Sequence, residues 1–163
     1  MKKILLLSIL LWTGWVSAQA IDLDKENRDP KYVESIVSRS QKIVDKLGIN
    51  DAKVAEDVRN VIANRYFTLN DIYETRDAKV KEIKESDLVG EAKNNALKAA
   101  EDAKDAALYR IHFAFPADLS LFLTEEQIEA VKDGMTYGVL KITYDSHLDM
   151  IPSLKKEEKA QIY

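Results

Sequence analysis

The 163-residue chain contains no cysteine. That excludes disulfide staples, thiolate metal ligands, a cysteine nucleophile and the attachment residue of a lipoprotein. Histidine is nearly absent too: His112 and His147 are the two present, and neither lies in a His-Glu-x-x-His zinc pattern or beside a serine placed to act as a nucleophile. Both tryptophans, Trp12 and Trp15, fall within the first twenty residues, so the rest of the chain has no indole for an aromatic sugar platform. Positive charge is in deficit, with 24 Lys and Arg against 28 Asp and Glu. A phosphate-neutralising nucleic-acid surface and a polybasic membrane patch are therefore not expected.

One long apolar run is present, at the start. Lys2 and Lys3 precede an apolar stretch from Ile4 to Val16, and Ala18-Gln19-Ala20 supplies a small-x-small pattern. Met1–Ala20 reads as a secretory signal peptide, because the run is shorter than the roughly 20 apolar residues a membrane span needs. The expected location is periplasmic or secreted, with no membrane insertion after cleavage. Cleavage would take away two lysines and no carboxylate, moving the formal charge from −4 to −6. The remaining length of about 140 residues suits one core.

Glycine and proline are also scarce, at five and three, so most of the chain is free of helix breakers. Residues 21–28 read as a flexible leader, and 29–163 as a single helical domain. Asp29-Pro30 is a helix start, and Val33, Ile36, Val37, Ile43, Val44 and Leu47 follow at helical spacing before Gly48. Asn50 is expected to cap a second helix whose apolar period runs to about Leu88, on the order of 50 Å at 1.5 Å per residue. After a reversal at Ser86–Gly90 comes a third helix with alanine at 92, 96, 99, 103 and 106. That stripe predicts an antiparallel hairpin packed through Ala96, Ala99, Ala103 and Ala106. Arg65 and Arg76 interrupt the apolar register of the second helix and call for carboxylates across the hairpin.

Pro116 kinks or breaks the third helix, and Thr124-Glu125-Glu126-Gln127 forms a capping box for a fourth, ending near Lys132. Asp133–Gly138 reads as a loop, Val139–Tyr144 as a short extended segment, and Lys155–Tyr163 as a last helix of about two turns. The shortness of that helix suggests a domain incomplete at its C-terminus. The fold class expected is all-α, a helical bundle built on a long antiparallel hairpin.

Three helix starts echo one another at Leu47–Val54, Leu121–Ile128 and Leu154–Lys159. The start Leu123-Thr124-Glu125-Glu126-Gln127 resembles the Leu-Thr-x-x-Gln motif of Spy/CpxP-type periplasmic proteins, which implies a small helical chaperone or metal sensor. Lys155 stands where a second threonine of that pattern would fall. A resemblance covering more of the chain rests on Gln41–Gly48, on Leu69–Ile72 through Arg76–Lys79, and on Leu123–Gln127 through Val131–Gly138. These stretches resemble the secreted family catalogued as domain of unknown function 3826. The resemblance implies a helical exported protein of Bacteroidota that degrade plant polysaccharides, and supplies no catalytic residues.

The candidate binding surface is Asp133–His147, with Met135, Tyr137, Tyr144, Asp145 and His147 as contact groups and Asp149 just beyond it as a further one. His112, on an apolar face four residues before Pro116, reads as a core or capping histidine. In Asp145-Ser146-His147-Leu148-Asp149, helical geometry puts the two aspartates on one face and His147 away from it, which does not make a metal site. No catalytic residue, metal or cofactor is expected. The reading is a non-catalytic binding or assembly protein whose partner is a protein or a glycan, with homodimer formation a further expectation. The alternatives are an accessory enzyme of polysaccharide degradation and a Spy/CpxP-like factor.

Overall fold

The computed structural model describes residues 20–162, so the expected signal peptide lies outside the described residues except for Ala20. The described chain folds into α1 (Pro30–Val44), α2 (Ala52–Glu85), α3 (Gly90–His112), α4 (Ala114–Leu119), α5 (Glu125–Met135), α6 (Val139–Met150) and α7 (Lys156–Ile162), and contains no strand. It is an all-α bundle.

Local chemistry explains where α1, α2 and α5 begin. The Asp29 carboxylate accepts from the Tyr32 N–H at 2.9 Å, and Pro30 takes the first position of α1, where its missing donor costs nothing. Past α1, Gly48 turns the chain at φ +67. The cap of α2 is Asp51 rather than the expected Asn50: its Oδ1 accepts from Lys53 N at 2.8 Å and Val54 N at 3.1 Å. A full negative charge at a helix N-terminus also complements the macrodipole. At α5 the Thr124 hydroxyl accepts from Gln127 N, while Gln127 Oε1 accepts from Thr124 N at 3.1 Å, closing the capping box. Gln127 Nε2 also donates to the Leu47 carbonyl at 2.8 Å, which ties α5 to the end of α1.

The main core lies around the first half of α2. Ile43, Val44 and Leu47, the α2 residues Val58, Val61 and Ile62, Phe115 and Leu119 of α4, and Ile128 and Val131 of α5 form one buried cluster. A second cluster joins Ile36, Ala63 and Phe67, with Leu23 and Tyr32 packed against it. Residues 21–28, expected as a leader, run along α2: Asp24 N donates to Asn64 Oδ1 at 2.8 Å, and Arg28 reaches Asp71 at 2.7 Å.

α3 runs back along α2, as three cross-links of descending and ascending number show: Lys93 Nζ to the Lys84 carbonyl at 3.1 Å, Arg76 to Glu101 at 2.6 Å, and Arg65 to the Ile111 carbonyl at 3.0 Å. The alanine register is not the expected one. Ala92, Ala99, Ala103 and Ala106 are exposed, and the buried alanine of α3 is Ala100. Leu97, Leu108 and Ile111 are partly buried beside it, as is Lys104, whose ammonium pairs with Glu101 and Asp105. Apolar burial scales with area, so the leucines and Ile111 decide which face turns inward and the alanines follow.

Two expectations near the C-terminal end are overturned. α5 continues through the first half of the expected Asp133–Gly138 loop to Met135, leaving Thr136–Gly138 as the turn, and Gly134 serves close approach: a Cβ there would stand 3.1 Å from Ile43 Cγ1. The left-handed turn comes later, at Tyr137 (φ 57) and Gly138 (φ 72). Val139–Tyr144, expected as extended, is the first half of α6. Pairs four residues apart hold it helical, with Lys141 Nζ to Asp145 Oδ2 at 2.6 Å and Ser146 Oγ donating to the Ile142 carbonyl at 2.8 Å.

Candidate functional site

The expected contact residues fall on the end of α5, the turn after it and α6, without converging on one point. Met135 closes α5, packs against the main core, and lends its carbonyl to a long contact of 3.5 Å from the Tyr66 hydroxyl. Tyr137 occupies the left-handed corner and is 67 % exposed. What holds it is Arg39 of α1, whose guanidinium lies 5.4 Å from the Tyr137 ring centre and 5.6 Å from that of Tyr66. Burial pushes the Tyr66 phenol pKa up, and the neighbouring Arg39 charge draws it partly back. Arg39 carries no motif in the sequence, since only the fold brings it to Tyr137.

Tyr144, Asp145, His147 and Asp149 all lie on α6. His147 Nδ1 sits 2.7 Å from the Thr143 carbonyl, so the neutral ring carries its proton there and keeps Nε2 as acceptor. Asp145 is engaged by Lys141. Among the described residues there is no group of three or more His, Asp or Glu side chains placed to hold a metal ion. His112, expected in the core or at a cap, is exposed in the last turn of α3, edge-on to the Phe113 ring at 4.8 Å.

The face that α6 turns to solvent carries apolar side chains towards both of its ends. None of its side chains is buried, and Val139, Ile142 and Met150 are exposed, Ile142 at 64 % and Met150 at 69 %. With Thr143 and Ser146 between them, these residues follow helical steps down one stripe. Asp145 and Asp149, four residues apart, flank it. Tyr144, His147 and Leu148 form the half-buried opposite side.

Two concavities flank the long helices. A groove of about 570 Å³ between α2 and α3 has Ile72, Ala100, Ala103 and Ala107 in its wall, with Asp71 and Glu82 beside them. These carboxylates are ion-pair partners: hydrogen bonds from Arg28 hold the Asp71 pKa below the usual carboxylate range, and Glu82 accepts from Lys79 at 2.9 Å. A smaller cavity of about 310 Å³ is lined by Arg65, Phe115, Leu121 and Phe122 among others. Arg65 has no carboxylate partner among the described residues. It donates instead to the Ile111 carbonyl, one of the last of α3, while its guanidinium stands 5.5 Å from the Phe115 ring centre. Burial lowers its pKa. Of the two arginines expected to find carboxylates across the hairpin, Arg76 does so and Arg65 caps a helix.

The family model described as a protein of unknown function, DUF3826, matches residues 33–163. The chain belongs to this family. The match runs from within α1 through α7, so the DUF3826 region includes the buried residues of both clusters and the α6 face. No curated protein matches the chain.

Proposed function

We propose that this DUF3826 protein is a non-catalytic binding or assembly component of the cell envelope, exported to the periplasm or secreted, which presents α6 to a protein partner. The observation that carries the reading is the outward stripe Val139, Ile142 and Met150 on a helix that buries no side chain of its own. Apolar anchors at helical spacing suit insertion into a groove on another protein. A glycan is less well served, because stacking on sugar needs free aromatic faces, and Tyr137 already has Arg39 against its ring. Asp149 beside the stripe matches a basic group at the groove's edge, whereas Asp145 is already paired with Lys141. The polysaccharide-utilisation setting is supported by the family resemblance.

The reading is tested by placing a photo-crosslinking amino acid at Ile142 or Met150 in the producing cell, with Lys98 on the exposed side of α3 as the control position. The expected result is one discrete adduct with a different protein from the α6 positions, lost when Val139→Asp is added, and none from Lys98. An adduct of twice the chain mass would assign the stripe to a second copy instead. Equal labelling from α6 and Lys98, or none from α6, would remove the reading.

A further inference from the structure

The N-terminal end of the described chain is tied down by an unusual acceptor. The Ile21 N–H donates to Asp57 Oδ1 at 3.0 Å, and Asn60 Nδ2 donates to the Ile21 carbonyl at 2.7 Å. Asp57 is 3 % exposed and Asn60 is buried, while the Ile21 side chain packs against the main core. The cation already near Asp57 is Lys53, whose side chain is largely in solvent and whose Nζ is 3.4 Å away. A buried carboxylate served by one amide and one long, solvated contact is poorly compensated. Ile21 is also the residue that follows Ala18-Gln19-Ala20, and Ala20 itself is exposed.

We infer that export processing cuts the Ala20–Ile21 bond and that the amine so released is captured by Asp57, completing the fold. This rests on reading Met1–Ala20 as a signal peptide. In the cut, an export peptidase adds one water across the amide: the carbonyl carbon of Ala20 gains the oxygen and leaves as a carboxylate with the signal. The nitrogen stays on Ile21 and takes up a proton to become an ammonium. A neutral amide donor facing Asp57 thus becomes a cation at the same position, and a charge-assisted hydrogen bond is about twice as strong as a neutral one. Residue 21 then becomes the anchor of the segment that runs along α2 to Arg28. A one-residue error in the cut would put the charge in the wrong place.

Two measurements separate the parts of the proposal. N-terminal sequencing of the exported protein should begin at Ile21, and any other start overturns processing at this bond. Independently, chains released from a cleavable fusion to begin at Ile21 or at Ala20 are compared by thermal unfolding. The Ile21 chain should melt about 5 °C higher, and Asp57→Asn should erase the gap. A gap under about 2 °C overturns capture by Asp57. Should Asp57→Asn not fold, cyanate labelling of the two unsubstituted chains decides instead. The Ile21 amine should react at least about tenfold more slowly than the Ala20 amine, and equal rates overturn the capture.

Discussion

Replacing Phe67 with alanine should cost about 3–5 kcal/mol, the largest single effect expected of a side-chain truncation here. Phe67 is 0 % exposed and stands where three parts of the chain meet. Its ring lies 5.7 Å from Tyr32 of α1, and the Arg28 guanidinium sits over it at 4.6 Å. Ile36 and Ala63 complete the cluster, with Leu23 against it. Truncation removes the transfer energy of the ring and leaves a cavity that α1 and α2 cannot both close, since each is also fixed in the main core. It also strips the aromatic face from Arg28, whose charge is held by Asp71 and Asp24. Urea unfolding measures the loss, and a cost below about 1.5 kcal/mol would mean that this cluster is not a packed part of the core.

The second large effect concerns the seam between α2 and α3. Ala100→Asp should destabilise by about 1–3 kcal/mol, because Ala100 is 8 % exposed in the apolar wall of the α2–α3 groove and a charge there loses its water. Ala99→Asp should change stability by less than about 0.5 kcal/mol, because Ala99 is exposed at the edge of the same groove. The pair reads the rotation of α3 directly. Reversed magnitudes would restore the register expected from the alanine spacing.

That register shows where sequence reasoning reaches its limit. The starts of α1 and α5 were legible because they depend on partners two or three residues away, Asp29 before Pro30 and Thr124 with Gln127, whereas at α2 the neighbouring Asp51 takes the capping role expected of Asn50. All-α class was legible from long stretches that keep one period. The alanine stripe misled because alanine has little area to bury, so Leu97, Leu108 and Ile111 overrule it. Val139–Tyr144 misled for another reason. Six residues are too few to separate alternation from a helical stripe, and the i,i+4 pairs that settle the matter reach to Asp145 and Ser146.

The candidate site divides in the same way. Tyr137, Tyr144, Asp145, His147 and Asp149 were legible as a polar and aromatic segment, and they lie on the turn after α5 and on α6. That Arg39 lies between Tyr66 and Tyr137 was not, because these residues come from three elements joined only by the fold. Nor was the role of Arg65 as a donor to the end of α3. Helix periodicity identifies an inward position without saying whether the group that meets it is a carboxylate or a carbonyl.

The central claim is that α6 buries no side chain fully and turns Val139, Ile142 and Met150 outward, and hydrogen–deuterium exchange of the isolated protein tests it most directly. Amides of Val139–Met150 should exchange at least about a hundredfold faster than those of Val58–Phe67, since local opening of a helix that buries no side chain is much cheaper than opening the core. Protection of α6 equal to that of the first half of α2 would contradict the account, placing the Val139, Ile142 and Met150 stripe in the protein's own interior.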